Sequence, residues 1–372
     1  MRGVRLGKVL GFEISIDWSW LLIFFMVVFT LANGYFPMRA NFSTATNWLL
    51  GVVAALLLFV SVLIHELSHS VMARRYGIDV KGITLFIFGG VSQTAEEPKS
   101  ASAEFWMAIV GPLTSFALGA FFGILSASGG ALGWPLAAVA LVSYLAWINV
   151  ALGVFNLVPG FPLDGGRVLR SIIWGATGDM TKATKYASYS GQMFGYMLMG
   201  FGFLQIMLLG GLIGGLWLVF IGWFLAGAAR TSYEQLVMRQ ALSGITVGRI
   251  MTTDVPEIDY NMPVREFVDN QLLRHDYACY PVMRGEEVIG VVGAEEVRTT
   301  PSQMWDMTPV GEIVHSVDGA YKIEAGDDVW DAMTKLASDD VCRLLVMEDN
   351  HLKGTLGREA IYRLVRTKLS GV

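Results

Sequence analysis

Residues 48–73 read WLLGVVAALLLFVSVLIHELSHSVMA, an apolar run whose only ionisable members are His65, Glu66 and His69. A helix needs about 20 consecutive apolar residues to cross the hydrocarbon core of a bilayer. A helix in lipid satisfies its backbone internally, which leaves few other forms for such a run. Five more runs share its character, at 18–36, 103–127, 132–157, 187–209 and 212–229. Only Gly210–Gly211 separates the last two, which predicts a tight helical hairpin. The bulk numbers agree: 53% of the 372 residues are hydrophobic and 16% are charged, and mean hydropathy is +0.50. An ordinary soluble enzyme of this length is excluded. Trp18, Trp20, Trp48, Trp134 and Trp217 lie mostly near the run ends, where amphipathic rings settle at the interface.

Charge divides the chain. Residues 1–239 carry a net charge of +4 and residues 240–372 a net charge of −9. We therefore expect a membrane domain over 1–235 and a soluble domain over 236–372. An acidic tail argues against nucleic acid or anionic lipid as its partner. Lys and Arg fall almost wholly in one set of loops, and the other set holds Arg39 alone. The positive-inside rule then predicts a multi-pass protein of the inner cell membrane, with both termini and the tail in the cytoplasm. Cys279 and Cys342, the only cysteines, are expected to be reduced in such a tail. The N-terminal residues lack a small-residue cleavage site and are expected to flank an uncleaved first span.

Two segments break the helical pattern. Residues 82–98, GITLFIFGGVSQTAEEP, are β-branched and aromatic and too short to cross; they predict a membrane-associated hairpin or a re-entrant strand. Residues 156–170, NLVPGFPLDGGRVLR, contain Pro159 and Pro162, which cannot continue a helix. The tail repeats itself. Residues 247–297 resemble residues 310–361, which predicts two copies of one α/β unit, at about 246–300 and about 307–370, sharing a core.

His65 and His69 are four residues apart and so lie on one side of a helix, a turn from each other. Two imidazoles so placed can bind one Zn²⁺, with Glu66 beside the open position. A short pattern of this kind arises by chance, and a buried His is often only structural. Three ionisable groups inside a membrane span, however, point to function. Tetrahedral zinc needs a third protein ligand, and Asp164, freed from helix by the two prolines, is the candidate.

With these motifs in hand, the chain resembles the site-2 protease family of intramembrane zinc metalloproteases, in the branch with a C-terminal pair of CBS domains. The resemblance rests on HELSH at 65–69, NLVPGFPLDG at 156–165, FGGVSQ at 88–93 and GPLTSF at 111–116, and covers residues 1–230. It implies one Zn²⁺ per chain held by His65, His69 and Asp164, with Glu66 and Asn156 as catalytic residues. It also implies regulated intramembrane proteolysis of a membrane-tethered substrate such as an anti-sigma or pro-sigma factor. Glu66 would take a proton from the attacking water and return it to the leaving amine. Asn156 would either hold the oxyanion or merely cap a broken helix. A helical substrate must unwind to be cut. Residues 83–93 would then either offer it an edge strand or form a plain packed hairpin.

The tail copies resemble CBS domains, whose pairs bind adenine nucleotides. Glu296 stands where a ribose contact is expected in the first copy; the second copy has Ala360 there. Dimerisation through the CBS pair or filtering of substrate is the alternative role. As a whole, a CBS-gated metal-ion transporter or channel is the competing reading. It should show matched polar positions in two halves of the membrane domain, and only one polar cluster is visible.

Overall fold

The computed structural model describes residues 3–369, apart from residues 88, 95–97, 255, 276, 317–320, 338–340 and 350. Phe88 of the FGGVSQ segment therefore lies outside the described residues. The chain divides into two units, Met1–Glu234 and Gln235–Val372.

The first unit opens with strands rather than a bare basic flank. β1 (Gly3–Val9) and β2 (Phe12–Asp17) form an antiparallel hairpin turned at Leu10 and Gly11. Phe12 and Ile14 are buried and alternate with half-buried Glu13 and Ser15, the period-two pattern of a strand with one covered face. β2 runs parallel to β3 (Val80–Phe86), and β3 turns back into antiparallel β4 (Gly89–Thr94). The order β1-β2-β3-β4 makes β3 an interior strand. Only β4 offers the free edge expected of residues 83–93.

α1 (Ser19–Thr30) passes through a π turn at Leu31–Tyr35 into α2 (Phe36–Arg39), giving one span over Ser19–Arg39. α3 (Thr44–Arg75) starts at a Ser43 cap whose Oγ accepts from the Thr46 N–H at 3.2 Å. Its 32 residues reach about 48 Å, more than a bilayer core requires. α4 (Ala101–Ala131) begins at a similar cap, Ser100. Then follow α5 (Leu136–Asn156), the short α6 (Asp164–Thr177), α7 (Met180–Leu209) and α8 (Leu212–Leu242). Six helices are long and apolar enough to cross a membrane, and α6 is not one of them. Gly210, with φ 63°, ends α7 and makes the tight turn into α8. The sheet lies against the histidine-bearing part of α3: Phe12, Ile14 and Ile83 pack with Leu67 and Ala73 of α3 and Met107 of α4.

The second unit holds two sheets. β5 (Ile258–Asp259), β6 (Cys279–Arg284), β7 (Glu287–Gly293) and β8 (His315–Ser316) form the first, with α9 (Val264–Phe267) and α10 (Ala294–Thr299). β9 (Lys322–Glu324), β10 (Leu344–Glu348) and β11 (His351–Leu356) form the second, with α11 (Val329–Leu336) and α12 (Arg358–Leu369). The copies exchange their leading segments. Val247 and Gly248 donate to the carbonyls of Asp327 and Ala325, and Thr252 pairs with Thr355. In return β8 pairs with β7, and Val310 donates to the Met262 carbonyl. The expectation of reduced cysteines is corrected: Cys279 of β6 is bonded to Cys342, just before β10, at a Cα–Cα distance of 6.3 Å. The sequence places these residues 63 positions apart, and only the packing of one copy on the other brings them together.

Candidate metal centre

The centre is assembled from α3, α4 and the first residue of α6. On α3 the four-residue spacing sets the His65 and His69 rings edge to face, 4.9 Å between centroids and 76° between planes. Both are buried. His69 Nδ1 lies 2.6 Å from the Met107 carbonyl of α4. A carbonyl only accepts, so this nitrogen carries the hydrogen and Nε2 presents its lone pair. His65 Nδ1 is 2.8 Å from Ser115 Oγ, two turns further along α4. Anchoring of the outer ring nitrogen fixes both the tautomer and the ring plane of a metal-binding His.

The inner nitrogens converge. His65 Nε2 and His69 Nε2 are 3.2 Å apart. Asp164 Oδ2 lies 3.0 Å from the first and 3.1 Å from the second. Among the described residues this is the one group of three or more His, Cys, Asp and Glu residues able to hold a metal. Donor atoms this close need a positive centre between them, a shared proton or a metal ion. Donors 2.0–2.1 Å from a tetrahedral zinc stand about 3.3 Å apart, so the three observed separations suit that ion. Two imidazoles and a carboxylate are also the donor set of catalytic zinc.

Gly111 of α4 borders the same space. A Cβ built there would collide with His69 Nε2 and Cε1 and come within 2.7 Å of His65 Nε2. Met107, Gly111 and Ser115 follow at four-residue intervals and form one stripe of α4 turned to the histidines. Glu66, next to His65, is half-buried. Gly90 of the edge strand β4 lies against its side chain: a Cβ at Gly90 would strike Glu66 Cγ and come within 2.9 Å of Cδ. Sheet and Glu66 side chain thus lie against each other, and glycine permits it.

Asn156 is the last residue of α5, half-buried, and makes no side-chain hydrogen bond among the described residues. It stands on the chain before Asp164, across the Leu157–Leu163 connection. Glu296 of the second unit accepts from the Gly293 N–H at 2.9 Å and so caps α10. His275, His315 and His351 are exposed, in keeping with their lack of ligand spacing. Sequence reasoning missed Ser115, the Met107 carbonyl, and the roles of Gly90 and Gly111. It also missed Glu104, fully buried near the start of α4 and paired with Arg170 of α6. An acidic residue inside an apolar run was the available signal.

Comparison with known proteins places these features. The description "Peptidase family M50" matches residues 53–131 and 133–199, which include His65, His69 and Asp164. A CBS domain matches residues 247–300. "Putative zinc metalloprotease Rip3" of Mycobacterium tuberculosis is 34% identical over 97% of this chain and 92% of its own length. Zinc metalloprotease MJ0392 of Methanocaldococcus jannaschii is 28% identical over 97% of this chain and 95% of its own. A solved site-2 protease from Methanocaldococcus jannaschii is 32% identical, covers 62% of this chain and 95% of that one, and superposes with a TM-score of 0.43. Shared sequence from end to end with a zinc metalloprotease, on six membrane-crossing helices, makes this chain a multi-pass intramembrane zinc metalloprotease, a member of peptidase family M50 with a CBS domain in its C-terminal unit.

Proposed function

We propose that His65, His69 and Asp164 hold one zinc ion per chain, and that Glu66 is the proton-transferring residue for cleavage of a substrate's membrane-embedded segment. The convergence of two imidazole nitrogens and one carboxylate oxygen within 3.2 Å of each other carries this reading. Zinc, when bound, supplies Lewis acidity that brings the pKa of water toward neutrality. Ser115 and the Met107 carbonyl hold the two imidazoles in orientation. Glu66 accepts the proton of the attacking water at its carboxylate and delivers it to the leaving amine. Asn156, with its side-chain amide uncommitted, donates to the oxyanion.

The substrate is an unwound segment of a membrane-spanning protein. It docks as an added strand on β4, the edge strand whose Gly90 lies against Glu66. Introducing proline at Phe86 or Ile87 does not test this. Phe86 is in interior β3, and the Ile87 N–H donates to Ser19 Oγ at 3.2 Å, so proline there damages the fold. Single cysteines placed along 90–94 should instead crosslink to a cysteine near the scissile residue of a bound substrate. Crosslinks confined to the opposite edge, β1, would refute the docking. The Lys and Arg distribution supports a cytoplasmic location for both termini and for the second unit, against which stands the Cys279–Cys342 bond of that unit.

Glu66→Gln is the direct test of the chemistry. It should retain stoichiometric zinc and lower cleavage by a factor of about 10² to 10⁴. Cleavage at the wild-type rate would remove Glu66 from the mechanism. Comparing membrane-protein fragments in cells carrying each form then identifies the substrate.

A further inference from the structure

The stripe of α4 that faces the imidazoles continues to a buried charge. Glu104 precedes Met107, Gly111 and Ser115 by three, seven and eleven residues, and so lies on the same helical face. It is 0% exposed. Its Oε1 accepts from Arg170 Nε at 2.6 Å and pairs also with Arg170 Nη2, while Arg167 Nε stands 3.9 Å away. Arg170 is 8% exposed. Its guanidinium lies over the Phe161 ring, 5.2 Å from the centroid. One cation of α6 therefore holds both α4, through Glu104, and the connection that leads into Asp164, through Phe161.

A buried ion pair is a poor way to gain stability, because desolvation offsets most of the attraction and apolar replacements are often as stable. It is a good way to fix an angle. Arg170 brings two nitrogens of one rigid, planar guanidinium, Nε and Nη2, onto a single oxygen, Glu104 Oε1, which a lysine ammonium cannot reproduce. Asp164 is the first residue of α6, and no side-chain cap precedes it. Between Asp164 and Arg170 lie about 9 Å of rigid helix. Its reach to the histidines is thus set by where α6 sits on α4, and the same face of α4 anchors those histidines.

We propose that Glu104 and Arg170, assisted by Arg167, form a clamp that sets the position of Asp164 in the metal centre, so that both are positioning residues for zinc binding. This rests on the reading of Asp164 as a ligand. The test measures zinc affinity of the full chain in detergent, by competition with a chelator. It uses Glu104→Leu/Arg170→Met, which replaces the pair with apolar groups, in the wild-type and the Asp164→Ala backgrounds. In the wild-type background the zinc dissociation constant should rise about tenfold to a hundredfold. The d–d absorption of the Co²⁺-loaded protein should change with it. In the Asp164→Ala background the same pair of substitutions should leave zinc affinity unchanged, because the group being positioned is gone.

No change in the wild-type background, or an equal change in both, overturns the clamp. Wild-type zinc affinity in Asp164→Ala alone overturns the ligand assignment instead. Should the double variant fail to fold, Arg170→Lys keeps the charge and loses the planar guanidinium. It is then read in the same two backgrounds against the same outcomes.

Discussion

Gly111→Ala pits two physical effects against each other. In a helix interior, alanine is preferred over glycine by about 0.5–1 kcal/mol, so propensity alone makes the variant more stable. At Gly111 the added methyl meets His69 Nε2 and Cε1 and lies 2.7 Å from His65 Nε2. Ordinary contact begins at 3.4 Å, so the His65 nitrogen must retreat by roughly 0.7 Å, and His69 by more. Neither ring is free to comply, since each is tethered through Nδ1 to the helix that carries the methyl. A preorganised site tolerates about 0.5 Å of displacement, and misplacement by about 1 Å costs a factor of about 10² in rate. The zinc dissociation constant of Gly111→Ala should rise at least about a hundredfold, a loss of about 2.7 kcal/mol. The metal-free protein should also unfold at a lower temperature, because overpacking against two tethered rings costs about 1–3 kcal/mol, more than the helix preference returns. Gly123→Ala, on the same helix, is the control. Its methyl touches only Ala146 Cβ, at 4.0 Å, and zinc binding should not change. Zinc content by mass spectrometry, chelator competition and thermal unfolding supply the three readouts. Wild-type zinc affinity in Gly111→Ala would refute the placement of the ligand nitrogens.

Other perturbations separate the remaining parts. Gly90→Ala pushes β4 against Glu66 and should cut cleavage about a hundredfold with zinc content intact; loss of zinc would show that strand and metal site are not independent. Reducing the Cys279–Cys342 bond frees a loop of 63 residues. Chain entropy then predicts a loss of about 4 kcal/mol from the second unit. Thermal unfolding of the full chain with and without reductant checks this, and identical curves would mean that the bond does not form. A green fluorescent reporter fused after Val372 should fluoresce, while alkaline phosphatase at the same place stays inactive, if the second unit is cytoplasmic; the reverse pattern inverts the topology.

Legibility in the sequence followed the range of the interactions. His65 and His69 declare themselves through a local period, and Asp164 through two nearby prolines in a greasy context. The membrane helices stand out because lipid leaves a long apolar run few alternatives. The N-terminal hairpin did not, although Phe12 and Ile14 alternate correctly. Arg5 and Lys8 read as the basic flank of a span, and the partner strand β3 is encoded some seventy residues later. Glu104 went unread because its partner, Arg170, lies 66 residues away. Gly111 carries no sign of what its missing side chain would touch. The cysteines looked reduced because composition reports a compartment and cannot report a meeting of two repeats.

The centre is also divided in time. His69 and Asp164 are separated by 95 residues, and the helices α4 and α5 are made between them. A ribosome that has released α3 into the bilayer has delivered two imidazoles and the Glu66 carboxylate, with Asp164 still to come. On the proposed ligand set, zinc binding then waits for α6 to dock on α4.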